Sequence, residues 1–89
     1  AVLIRAIQPQ QGINYMIKNR KTDVISNLVN GPGKLTQAMQ ITLKQCNLDL
    51  TKNPSLFIAD GKKPTNIIVK PRIGIKIGVD KLWNFSFKI

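Results

Sequence analysis

Asn30-Gly31-Pro32-Gly33-Lys34-Leu35-Thr36-Gln37-Ala38-Met39 is the stretch that organises this chain. Asn, Gly and Pro within four residues set a sharp turn. Beyond it Leu35, Ala38 and Met39 fall at i, i+3 and i+4, one face of a helix running from about Gly33 to Leu43. A helix N-terminus presents unpaired backbone N–H groups and a partial positive charge. Gly33 leaves room for another backbone to come close, and Lys34 adds a full positive charge at the same end. Helices ordinarily carry acidic residues there, so the string is a candidate phosphate contact. It is not a nucleotide P-loop, because Leu28 and Leu35 occupy the positions where that motif requires Gly and Ser or Thr. The competing reading is a helix-starting turn with a solvated lysine.

Outward from this turn, the upstream segment Ala1 to Ile7 is nearly continuous apolar sequence broken by Arg5, and predicts a buried strand. Gln8 to Gly12 is a turn, and Ile13, Met16, Ile17 and Arg20 then fall at helical spacing. Thr22 or Asp23 caps a second short helix carrying Val24, Ile25 and Leu28. Downstream of an irregular stretch around Asp49-Leu50 the pattern turns to strands. Leu56-Phe57-Ile58 precedes an Asp60-Gly61 turn, and Ile67-Ile68-Val69 leads to Pro71. Arg72 to Val79 alternates, with Ile73, Ile75, Ile77 and Val79 on one side. Trp83, Phe85, Phe87 and Ile89 alternate in the same way after an Asp80-Lys81 turn. The expected class is α+β: a curved, mostly antiparallel sheet from both ends of the chain, with short helices in the middle.

The chain has 89 residues, 14 basic against 4 acidic, and a formal charge of +10. The excess is spread along the sequence, which fits a surface for nucleic acid better than a basic tail. Cys46 is the only cysteine, and there is no His and no Glu. A disulfide framework, a zinc-ligand set and Cys-His or Ser-His catalysis are thereby excluded within these residues, and no metal or cofactor is expected. A reducing intracellular compartment is the default. The apolar runs are too short for a membrane span. Both ends fall inside strand-like patterns, whereas domains usually begin and end in loosely held polar residues, so an incomplete single domain is expected.

Four elements, in this order, carry a resemblance: Val2-Leu3-Ile4-Arg5-Ala6-Ile7-Gln8-Pro9, Asn30-Gly31-Pro32-Gly33-Lys34-Leu35-Thr36-Gln37-Ala38, Asp49-Leu50 and Pro71-Arg72-Ile73-Gly74-Ile75. They resemble the 3-methyladenine (alkyladenine, or methylpurine) DNA glycosylase family. The likeness covers essentially the whole chain but only the C-terminal half or so of a family member. The resemblance implies that residues 1–89 are the C-terminal portion of a glycosylase domain whose catalytic portion lies upstream. It implies base excision repair: an alkylated or deaminated purine is flipped out of double-stranded DNA and its N-glycosidic bond hydrolysed. The carboxylate that activates the water belongs to a Glu-Thr-Glu-Ala-Tyr-like family motif with no counterpart here. The family pattern also implies a monomeric protein, cytoplasmic or nucleoid-associated if bacterial.

Carried over residue by residue, the resemblance makes Arg5 the arginine that holds the attacking water. A charge inside an apolar strand requires a partner. Phe87 aligns with a position whose backbone carbonyl contacts the same water, its side chain being expected in the core. Gly33 and Lys34 match the segment that touches the DNA backbone. The family's Trp-Arg-Phe-Tyr is replaced by Trp83-Asn84-Phe85-Ser86, which loses an arginine and a tyrosine. Asp23 reads as a helix cap, Asp60 and Asp80 as turn residues, and Asp49 as a structural residue of the family's Asp-Leu element, none of them a substitute for the glutamate. Tyr15 and Trp83 have the chemistry to stack on a base, but their apolar spacing assigns them to the core. The alternatives are a non-catalytic basic nucleic-acid-binding module and a decayed remnant.

Overall fold

The computed structural model describes residues 1–87. Helix α1 (Ile13–Arg20) opens after Gly12, which takes a left-handed φ of 70°. It closes at Lys21, also left-handed, whose N–H returns to the Ile17 carbonyl at 2.8 Å. Its last turn carries Lys18 and Arg20, the sign that complements the negative end of a helix. Helix α2 (Pro32–Met39) starts on an extended Gly31, with Pro32 at the first helical position. Proline belongs there because its missing N–H would have had no partner in the helix. Between the helices a single 3₁₀ turn covers Ile25–Asn27. After α2, Thr42 and Gln45 form a reciprocal capping box on a 3₁₀ turn at Leu43–Gln45.

The core is small and lies between the helices. Leu28, Val29, Leu35 and Ala38 are buried, and Ile13, Met16 and Ile17 pack against them. Two polar fasteners flank it. Asn19 donates to the Ala38 carbonyl at 2.8 Å and accepts from the Gln40 side chain at 3.2 Å. Arg20 donates Nε to the Leu28 carbonyl at 3.0 Å, Nη2 to the Asn27 carbonyl at 3.1 Å and Nη1 to Gln37 Oε1 at 3.1 Å. These elements belong to a first compact unit, Ala1–Phe57.

The second unit starts at Ile58 and is a ribbon of two strands, β1 (Ile68–Lys70) and β2 (Asn84–Ser86). They pair antiparallel, with Val69 opposite Phe85. Both residues are exposed, since no second layer covers the ribbon among the described residues of this unit. Short helices and an open antiparallel pair make the α+β class, as expected.

Several expectations fail. Ala1 to Ile7 is not a strand: Val2 and Leu3 are 92% and 65% exposed, and among the described residues the segment's one backbone bond is from Ile7 N–H to the Val29 carbonyl at 3.2 Å. An apolar run becomes a strand only when a neighbour pairs with its backbone. Leu56-Phe57-Ile58 is also outside any strand. The alternation of Arg72 to Val79 ends as bends because Gly74 and Gly78 take left-handed φ of 72° and 76°, which breaks the pleat. At Gly78 a Cβ would meet Arg72 Nη2 at 2.9 Å. Consequently β2 pairs with residues 68–70 and not with 72–79. Helix α2 stops at Met39, four residues short of Leu43, because Gln40 turns left-handed and Ile41 N–H folds back to the Thr36 carbonyl. The expected helix after Thr22 shortens to the 3₁₀ turn, although Thr22 Oγ1 does accept from Val24 N–H. The tail of the last expected strand, Lys88 and Ile89, lies outside the described residues.

Candidate nucleic-acid interface

Of the four residues singled out in the sequence, Gly33 and Lys34 sit together in the first turn of α2. Both are exposed, and no acidic residue lies in that turn. A side chain added at Gly33 would meet nothing within 4 Å, so nothing inside the protein requires a glycine there. Glycine in a helix costs about 1 kcal/mol relative to alanine. Lys34 is not loose. Its Nζ donates to Asn30 Oδ1 at 3.0 Å, and Asn30 Nδ2 donates to Asn27 Oδ1 at 3.3 Å. A favourable end of the helix dipole, free backbone N–H groups and a tethered ammonium thus share one turn, an arrangement suited to a phosphate oxygen.

Arg5 lies on the extended segment before Ile7 and is half-buried. It faces no carboxylate: among the described residues the one salt bridge joins Lys81 and Asp80 at 4.0 Å. Phe87 follows β2 in the second unit, and its side chain is 49% exposed instead of being core. Tyr15 and Trp83 are likewise out of the core, at 76% and 58% exposure. Trp83 lies under the Arg72 guanidinium, 5.1 Å from ring centre to Cζ, within cation–π range. A shallow groove of about 440 Å³ runs beside Tyr15, Lys18, Asn19, Met39 and Gln40.

Asp23 does not cap the 3₁₀ turn, whose Val24 N–H goes to Thr22 Oγ1 instead. Asp49 accepts from both the hydroxyl and the backbone N–H of Thr51, and these bonds hold its carboxyl below the usual carboxylate value. Among the described residues no group of three metal-ligating side chains comes together. Sequence reasoning missed Asn27, Asn30 and Arg20. The i, i+4 spacing of Asn30 and Lys34 was the available signal for the first contact.

The fold and composition define a class no finer than a basic α+β chain with an exposed glycine-lysine turn at a helix start. The comparison with known families is specific. Residues 1–89 match the family model described as methylpurine-DNA glycosylase (MPG), and the chain belongs to that family. A protein of Prosthecochloris aestuarii named "Putative 3-methyladenine DNA glycosylase" is 48% identical over 93% of this chain and 40% of its own length. Proteins of the same name from Bacillus licheniformis and Clostridium novyi are 47% and 40% identical, over 84% and 99% of this chain and 38% and 49% of their own lengths. The chain therefore spans less than half the length of these relatives. No solved structure matches it significantly.

Proposed function

We propose that residues 1–89 are the C-terminal portion of a methylpurine DNA glycosylase domain acting in base excision repair. The whole domain hydrolyses the N-glycosidic bond of alkylated or deaminated purines in double-stranded DNA, inside the cell and as a monomer. Water adds to the sugar carbon, the C–N bond breaks, and the purine leaves with the bonding electrons. Activation of that water by a carboxylate falls to a portion of the domain upstream of this chain. Arg5 positions the water, the Phe87 carbonyl accepts from it, and Gly33 with Lys34 receives the DNA backbone. The family match supports the reaction. The observation that carries the DNA-facing role is the open space at Gly33 beside the exposed Lys34 ammonium.

The absence of Glu and His favours a second reading for the isolated chain, a non-catalytic DNA-binding module. One experiment separates the two. The 89-residue chain, and a chimera that joins the upstream part of the Prosthecochloris aestuarii relative to it, are incubated with duplex DNA containing hypoxanthine or ethenoadenine, and abasic sites are scored. The chain alone is expected to be inert and the chimera active, with Arg5→Ala lowering chimera turnover by about 10²-fold through a misplaced water. An inert, folded chimera beside an active relative favours the module. Reproducible turnover by the 89-residue chain refutes the assignment of chemistry to the upstream portion.

A further inference from the structure

We propose that the apolar face of the β1–β2 ribbon is an interaction surface whose occupant is the upstream portion of the glycosylase domain. The inference rests on the reading of residues 1–89 as one portion of that domain. In the ribbon Val69 stands opposite Phe85, while Ile68 stands opposite Ser86 and Lys70 opposite Asn84. Paired residues share a face of the ribbon, and neighbours along a strand alternate between faces. Val69 and Phe85 therefore lie on one side, 45% and 66% exposed. The same alternation carries Ile67, Trp83 and Phe87 to that side, and all three are exposed as well. The other side holds Lys70, Asn84 and Ser86 beside Ile68. At one end Arg72 stacks on Trp83, 5.1 Å from the ring centre, so the open part of the face centres on Val69 and Phe85.

Such a face requires cover. A two-stranded ribbon is marginal in water unless a further layer packs on its apolar side, and a contiguous exposed patch of aromatic and aliphatic side chains marks a contact surface. DNA does not fit it. A phosphate backbone is held by cations, and the ribbon's own lysine, Lys70, stands on the other side. A second copy is opposed by charge, since each carries a formal +10 and the two repel. Chain length favours the rest of the domain. The Clostridium novyi relative aligns over 99% of this chain, ribbon included, yet the match takes up 49% of that relative's length. About half of that protein is therefore further chain, and covalent linkage holds it at high effective concentration beside the ribbon. An apolar layer from that portion covers Val69 and Phe85 and leaves Lys70 and Ser86 open.

Phe85→Cys and Ser86→Cys are made in the 89-residue chain and in a chimera that joins the upstream part of the Clostridium novyi relative to it. Maleimide labelling is timed and read peptide by peptide by mass spectrometry, with the exposed Cys46 as internal reference. In the chain alone both new thiols should label as fast as Cys46. In the chimera Phe85→Cys should slow by at least about tenfold while Ser86→Cys keeps its rate. An unchanged Phe85→Cys rate in a chimera that unfolds cooperatively overturns the proposal, as does equal slowing at both positions. Protection of Phe85→Cys in the chain alone that grows with protein concentration assigns the face to a second copy and overturns it too. If the chimera does not fold, the two cysteines are placed at the aligned positions of the whole Clostridium novyi relative, where the same contrast is expected and its absence overturns the proposal. Abasic-site formation is scored in parallel. An inert chimera that shields Phe85→Cys removes the catalytic reading and supports the covered face. An active chimera whose Phe85→Cys labels freely overturns the covered face alone.

Discussion

Arg20→Ala should loosen the helix pair more than any other change to an ionic side chain. The guanidinium ties the last turn of α1 to three acceptors: the carbonyls of Asn27 and Leu28 and the side chain of Gln37. The Leu28 bond matters most, because Leu28 is fully buried and its carbonyl is only partly reached by solvent. A hydrogen bond from a charged donor contributes about 1.5–3 kcal/mol, and the lower end suits a half-buried arginine. The bonds to Asn27 and Gln37 are exposed and contribute roughly 0.5 kcal/mol each. Their sum gives a loss of about 2–3 kcal/mol. Arg20→Lys should recover less than half, since an ammonium on a flexible stem cannot span the same fork of acceptors. Urea unfolding followed by far-UV circular dichroism measures both, with exposed Lys18→Ala as the reference from the same helical turn. Equal midpoints for Arg20→Ala and Lys18→Ala would refute the reasoning, as would full recovery by lysine.

Two further outcomes are expected. Leu28→Ala should cost about 2–5 kcal/mol, the usual range for emptying a buried leucine site, because Leu28 has no exposed surface through which the gap could fill; a loss below about 1 kcal/mol in the same urea assay contradicts the assigned core. The Asp49 carboxyl should titrate below the usual carboxylate range by carbon-detected NMR, with Thr51→Val moving it back upward. The sign follows from linkage: a depressed folded-state pKa contributes stability that is complete above the unfolded value and is lost as pH falls through the folded one.

The helical part of this fold was legible because its signals are local. Ile13, Met16, Ile17, Leu35 and Ala38 repeat at helical spacing; Leu35 and Ala38 are buried and the three α1 residues half-buried against them, whereas Met39 of the same predicted face is exposed. Pro32 and Gly31 mark the start of α2 within a residue or so. The sheet was misread because alternation reports only a tendency to bury one face. Residues 72–79 keep that pattern, yet the backbone at Gly74 and Gly78 leaves the extended region. Nor does an apolar run reveal whether a neighbour exists, so Ala1 to Ile7 reads as a strand and lies exposed apart from Arg5. Gly33 and Lys34 were legible as a candidate phosphate contact from turn chemistry and charge. The amides behind Lys34 were not, because Asn27 and Asn30 are also ordinary turn formers. Arg5 and Phe87 entered only through resemblance to the glycosylase family.

Both helices have eight residues. An isolated helix shorter than about 12–15 residues is marginal in water, so neither persists without the other's apolar face. This constrains the order of events on a ribosome. Arg20 leaves the exit tunnel 19 residues before Met39, a delay of roughly one to four seconds at ~5–20 residues per second. During that interval α1 has no lasting helical form, and its apolar positions are open to chaperones. The hydroxyl and amide groups of the intervening turn are synthesised in the same interval, so the turn and the second helix complete the first.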